Sequence, residues 1–153
     1  MIKIICVGKI KERYFSDAIE EYKKRISKYT KLEIIEVTDE ATDDLKIVLR
    51  KEKEKILKII NKNDYNIVLD IDGKELSSIE FSDKIDNIFT SLNSNISFII
   101  GGSCGIDDDI KKMCDFRLSF SKMTFPHQLF RVVLWEQIYR AFKILNNESY
   151  HKW

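Results

Sequence analysis

The sequence predicts a single α/β domain with a largely parallel sheet and helices on both faces. Two observations carry that prediction. Five short apolar runs alternate with five stretches of helical periodicity along the 153 residues, the order of a wound β-α domain. No repeat, low-complexity tract or linker interrupts them, and the chain holds one proline and five glycines, so the alternation belongs to one domain of ordinary size.

The run MIKIICV, residues 1–7, closes on Gly8 and predicts the first strand. Phe15, Ile19, Tyr22, Ile26 and Tyr29 recur every three or four residues, the stripe of an amphipathic helix. LEIIEV, Leu32 to Val37, is the second strand. Leu45, Val48, Leu49, Ile56, Ile59 and Ile60 mark a second helix whose other face is Lys and Glu. NIVLDI, Asn66 to Ile71, is the third strand, and the turn pair Asp72-Gly73 ends it. Ser77 followed three residues later by Glu80 is a capping box, opening a helix with Phe81, Ile85, Ile88 and Leu92 inward. NISFII, residues 95–100, is the fourth strand and runs into Gly101-Gly102. A short helix near Asp107 to Cys114 leads to the strand FRLSF, and the last helix spans about Phe125 to Asn146.

Composition narrows the function classes. Hydrophobic residues make up 44% and charged residues 33%, a globular balance, and the net charge is +1, so the molecule as a whole is no magnet for polyanions. Charge is regional instead. Lys9 to Lys31 carries eight bases against four acids, and Glu36 to Asp44 carries five acids and no base. Cys6, Cys104 and Cys114 form no C-x-x-C pair, which argues against a disulfide framework or a structural zinc site and for a reducing cytoplasm. No signal peptide pattern or membrane-length apolar run is present. No membrane or metal is expected.

Ligands of open α/β sheets bind outside the carboxyl ends of the strands, which directs attention to the loops after Ile71, Ile100 and Phe120. The first glycine-rich loop, GGSCG at 101–105, is neither a dinucleotide fingerprint nor a phosphate loop, and by spacing alone it reads as a tight strand-to-helix turn. In FSKMTFPH, Thr124 is the expected N-cap of the last helix, and Pro126 sits in its first turn, where a missing N–H costs nothing. His127 lies just inside that helix start, whose positive field disfavours a protonated imidazole. On the same helix Arg131 and Arg140 are about 180° out of phase, so they face opposite sides. Its apolar residues cover more than one face, which suggests an oligomer interface. Beyond it the chain reads NESYHKW, with the second histidine, His151, and Trp153.

FIIGGSCG, LSFSKMTFPHQLFRVVLWEQIYRAFKI, the terminal YHK and LDIDGKELSS (Leu69 to Ser78) together resemble the RlmH family of SPOUT-superfamily methyltransferases over essentially the full chain. Cys104 in the glycine loop and a terminal Trp153 are small departures. The resemblance implies a C-terminal trefoil knot and a homodimer, with S-adenosylmethionine (SAM) as cofactor. It further implies methylation at N3 of a pseudouridine in 23S rRNA, within the assembled 70S ribosome. By motif, the cofactor site would comprise Leu76, Gly101, Gly102, Ser119, Phe120, Ser121, Lys122, Met123, Thr124, Phe125 and Pro126. Arg140, Tyr150 and His151 would hold the target base, the tail reaching the partner's cofactor site, and His127 would be a supporting group at the pocket's edge. Without the resemblance the residues leave three readings open. These are a nucleotide-cofactor enzyme built on the glycine-containing loops, a non-catalytic ribosome-binding module using Lys9 to Lys31, and a hydrolase around His127. The last lacks a serine elbow or Cys–His pattern.

Overall fold

A computed structural model describes residues 1–92 and 95–152, with only the backbone at Leu92, so the side chain of Leu92 and all of Trp153 lie outside the described residues. Five parallel strands form one sheet in the order β2-β1-β4-β3-β5. The strands are β1 (Ile2–Val7), β2 (Leu32–Val37), β3 (Tyr65–Glu75), β4 (Ile96–Ile100) and β5 (Phe116–Ser119). The helices are α1 (Arg13–Ile26), α2 (Leu45–Leu57), α3 (Ser78–Asn87), α4 (Asp108–Met113) and α5 (His127–Leu145), with a π-helical turn at Ile88–Leu92.

The sheet is covered on both faces, which is why its strands read as unbroken apolar runs. Ile2, Ile4, Phe98 and Ile100 pack with Ile85 of α3 and with Leu134, Trp135 and Ile138 of α5. On the other face Ile5, Val7, Val68 and Ile99 meet Ile56 of α2 and Ile110 of α4. All five residues of β4 are buried, and each apolar side chain so removed from water contributes about 2 kcal/mol. The predicted helices on both faces are thus α1, α3 and α5 against α2 and α4.

Two expectations at the carboxyl end of the sheet are corrected. First, β3 does not stop at Asp72-Gly73. Leu118 of β5 pairs with both Leu69 and Lys74, so 70–73 form an outward bulge and the strand resumes at Lys74 and Glu75. The Asp70 side chain stabilises the excursion by accepting from the Asp72 amide at 3.1 Å. Gly73 is required there, because a Cβ would lie 2.7 Å from the Arg117 carbonyl oxygen. Second, α5 begins at His127, and its N-cap is Pro126 with no side-chain capping bond, not Thr124. Pro126 is extended (φ −54°, ψ 130°) and accepts the first turn's bond from the Phe130 amide at 2.9 Å. A residue preceding proline is itself driven out of the helical region, so helical geometry cannot reach back to Thr124. The capping box at Ser77 and Glu80 forms as expected, at 3.1 and 2.8 Å. The apolar periodicity of α2 ends early: Ile59 and Ile60 lie past the helix and pack on the second core.

Candidate functional site

The loops after β3, β4 and β5 converge, because those three strands are neighbours in the sheet. Between them lies a crevice of about 220 Å³. Its walls are the β3 bulge (Leu69, Asp70, Ile71), the end of β4 with Gly101 and Gly102, and the segment from Leu118 to Phe125 except Lys122; His127 and Phe130 close the side. A second groove of about 340 Å³ adjoins it, sharing Leu118, Phe120 and Phe125 and adding Leu76, Ser77 and Gln137. The motif-derived cofactor residues therefore divide. Gly101, Gly102, Ser119, Phe120, Ser121, Met123, Thr124 and Phe125 line the crevice. Leu76 stands beyond the Phe120–Phe125 wall in the second groove. Lys122 turns to the outer side of the β3 bulge, beside Asp72 and Gly73, and Pro126 lines neither cavity.

Local chemistry shapes each wall. A Cβ on Gly101 would run into the Gly105 carbonyl oxygen, so only glycine lets the loop fold back on itself at the crevice mouth. Gly105 has φ +84°, the left-handed region that favours glycine. Gly105 donates to the Gly102 carbonyl at 3.1 Å and closes the turn. In the opposite wall the Ser119 hydroxyl donates to the Ser121 carbonyl (3.0 Å), and the Ser121 hydroxyl accepts from the Met123 amide (3.0 Å). These two serines hold the segment open while Met123 and Phe125 stay exposed. Asp70 is buried but compensated, with Lys111 at 3.3 Å and Arg117 at 4.0 Å. His127, half-buried, is held below its ordinary 6.5 first by burial and then by the Arg131 charge, so it is a neutral imidazole at neutral pH.

Behind the glycine loop sits a residue that the motifs do not include. Glu52 of α2 is buried; its Oε2 accepts from the Glu40 amide at 3.2 Å, and its Oε1 is buried with no hydrogen-bond partner among the described residues. That oxygen lies 3.7 Å from where a Cβ of Gly102 would stand. A signal for it existed in the sequence. Glu52 is four residues from both Val48 and Ile56, on the buried stripe rather than the Lys/Glu face.

Arg140, Tyr150 and His151 are brought together, but away from the crevice, and Glu136 organises them. Its Oε1 accepts from Arg140 Nη2 (2.6 Å), Arg140 Nε (3.0 Å) and the Tyr150 hydroxyl (3.1 Å). The Arg140 guanidinium lies over the Tyr150 ring at 4.7 Å, and Tyr139 packs edge-on against Tyr150 with centroids 4.9 Å apart. Burial, followed by the Glu136 charge, pushes the Tyr150 hydroxyl up to about 12, so it remains a phenol at neutral pH. Arg140 Nη1 contacts His151 Nδ1 at 3.1 Å. Arginine only donates, so Nδ1 accepts and a neutral His151 carries its proton on Nε2. That Nε2 is buried and has no partner among the described residues. None of the three residues lines the crevice. His127 and Arg140 sit thirteen residues apart on one helix, about 20 Å along its axis. Arg131, about 180° out of phase with Arg140, lines neither site: it is buried and donates to the carbonyls of Val7 (2.6 Å) and Gly8 (2.7 Å), with Glu36 at 3.1 Å.

Among the described residues no helix is long and apolar enough to cross a membrane, and no group of three His, Cys, Asp or Glu is placed to hold a metal ion. The family model described as "Predicted SPOUT methyltransferase" matches residues 1–151. Two curated proteins named "Ribosomal RNA large subunit methyltransferase H" align over 99% of this chain and 99% of their own length. One, from Ruminiclostridium cellulolyticum, is 52% identical and the other, from Clostridium botulinum strain Okra, is 56% identical. Among solved structures, a probable methylase family protein from Haemophilus influenzae Rd KW20 superposes with a TM-score of 0.56. It covers 99% of this chain and 70% of that one, and at 13% identity the likeness concerns the fold alone.

Proposed function

Since the chain belongs to the ribosomal RNA large subunit methyltransferase H family of SPOUT methyltransferases, we propose that it transfers a methyl group from SAM to N3 of a pseudouridine in 23S rRNA, on the assembled 70S ribosome and as a cytoplasmic homodimer with a knotted C-terminal half. The observation that carries the reading is the crevice itself, walled by the two loops of the family motifs. Its residues suit the cofactor: Gly101 leaves a cradle that any side chain would fill, Met123 and Phe125 offer apolar surface, and an unpartnered carboxylate oxygen stands behind Gly102. Bound there, SAM would supply a methyl group already activated by its positive sulfur.

The protein's own contribution is then placement of the base, whose N3 proton passes to water. Arg140 fixes His151 as the Nε2–H form, a donor suited to a carbonyl of the base rather than a proton acceptor. Tyr150, whose one hydroxyl proton is donated to Glu136, is a rigid wall for the same ring. Because about 20 Å of helix separate this cluster from the crevice of its own chain, the tail serves the crevice of a second subunit. The net charge of +1 gives little indiscriminate hold on free RNA, which favours the folded ribosome surface as the docking partner.

Labelled methyl transfer from SAM to assembled ribosomes, with free ribosomal RNA as comparison, tests the substrate; transfer to free RNA alone would overturn the ribosome requirement. Replacing both Tyr150 and His151 by alanine is expected to abolish transfer while leaving SAM affinity nearly intact by calorimetry. Full activity in that double variant would remove the tail from the mechanism.

A further inference from the structure

Most buried acids in this protein are answered by a cation. Asp64 has Lys3 at 3.1 Å, Asp70 has Lys111 at 3.3 Å, and the partly buried Glu136 has Arg140 at 2.6 Å. Glu52 differs. It is 4% exposed, and none of the ion pairs among the described residues includes it. The two nearby lysines, Lys51 and Lys55, pair with Glu40 instead, at 4.0 and 2.7 Å. Among the described residues only the Glu40 amide bonds its carboxylate, through Oε2, and Oε1 is left without a partner. Burial, opposed by that amide and by the Lys55 charge and reinforced by Asp39, raises its pKa above the ordinary value. An uncompensated buried carboxylate destabilises the free protein, and glutamine would accept the same amide bond without the charge. Packing alone therefore gives no reason for an acid here.

Its position supplies a reason. Oε1 lies 3.7 Å from the Cβ position of Gly102, beside Val7, whose Cγ1 is 3.1 Å from the same point. Gly102 is a wall of the crevice and has no side chain, so Oε1 approaches that wall from behind. A buried charge is screened weakly. We infer that Glu52 is a positioning residue for the crevice, acting across Gly102 as the counter-charge that favours a cationic ligand over its neutral counterpart. The inference rests on the function proposed above and gives it a direction. The methyl donor carries a positive sulfur; when the S–C bond breaks, its electron pair stays on sulfur, which becomes neutral, while the base nitrogen gains the methyl and loses its proton. Glu52 therefore favours the incoming donor over the spent product and assists exchange of one for the other.

The test is binding rather than turnover. Wild type and Glu52→Gln are titrated calorimetrically with SAM, with the neutral product S-adenosylhomocysteine, and with sinefungin, which bears an amine-carrying carbon where the donor has its sulfonium. The expected result is a loss of about three- to tenfold for SAM and sinefungin, with the product's affinity changed less than twofold. Glu52→Met, similar in length and apolar, repeats the measurement should the glutamine variant fail to fold, with the same shift in ratio expected. An equal loss for all three ligands, or no loss for any, would show Glu52 to be structural only and overturn the inference. Failure of the wild-type protein to bind SAM and S-adenosylhomocysteine would instead overturn the proposed function.

Discussion

The two ends of α5 present opposite kinds of readiness. At its N-terminal end, the crevice is a space with groups left over: exposed Met123 and Phe125, a glycine cradle, an unpaired Glu52 oxygen. At its C-terminal end, Glu136, Arg140, Tyr150 and His151 bond one another, and a single atom, His151 Nε2, is left without a partner. A site that must admit and release a sizeable molecule keeps its polar groups waiting. One that must hold a base at a fixed angle has its side chains locked in advance, as preorganisation requires. Under the proposed function, the difference means that one helix carries parts of two reaction centres.

The largest expected effect breaks the crevice end. Arg131→Ala strips two buried carbonyls of their charged donor and should lower stability by about 3 kcal/mol, seen as a shifted denaturant midpoint. Next, Gly101→Ala forces a Cβ against the Gly105 carbonyl; with overpacking at about 2 kcal/mol, SAM affinity should fall roughly thirtyfold while the tail cluster is untouched. At the other end, Glu136→Gln removes the charge on which Arg140 and Tyr150 converge. Transfer should drop by about tenfold with SAM affinity unchanged, a kcat effect that would confirm the division of labour between the two ends. The smallest effect concerns His127. Its folded pKa lies below 6.5, so the unfolded chain takes up the proton first. The stability it contributes is complete above about pH 6.5 and is lost as pH falls through the lower folded value. His127→Asn should flatten that acid limb when denaturant midpoints are compared across the range.

Much of the fold was legible because both faces of the sheet are buried, so MIKIICV and NISFII announce themselves without tertiary context. The β3 bulge was not. Asp72-Gly73 has the chemistry of a turn, and only pairing with Leu118, some 45 positions on, decides that the strand resumes. Thr124 misled for a similar reason: it is a good capping residue placed one step too far upstream of a proline. The crevice loops could be located from strand ends alone, whereas Arg140, Tyr150 and His151 came from motif likeness, since no periodicity links a helix residue to a tail eleven positions away. Glu52 shows the reverse case, a residue whose position on an apolar stripe was visible and whose meaning depended on a loop fifty residues further along.

Arg131 has a consequence for how the chain comes together in time. Its guanidinium satisfies the carbonyls of Val7 and Gly8 across 124 and 123 positions, and Glu36 of β2 across 95. The first of these five strands is thus finished by the last of the five helices. Such long-range closure makes for high contact order and slow folding, with the carboxyl end of β1 waiting for its donor until α5 has been made. A nascent chain halted before α5 should stay open to protease around Gly8, and release of α5 should close that window in a single cooperative step.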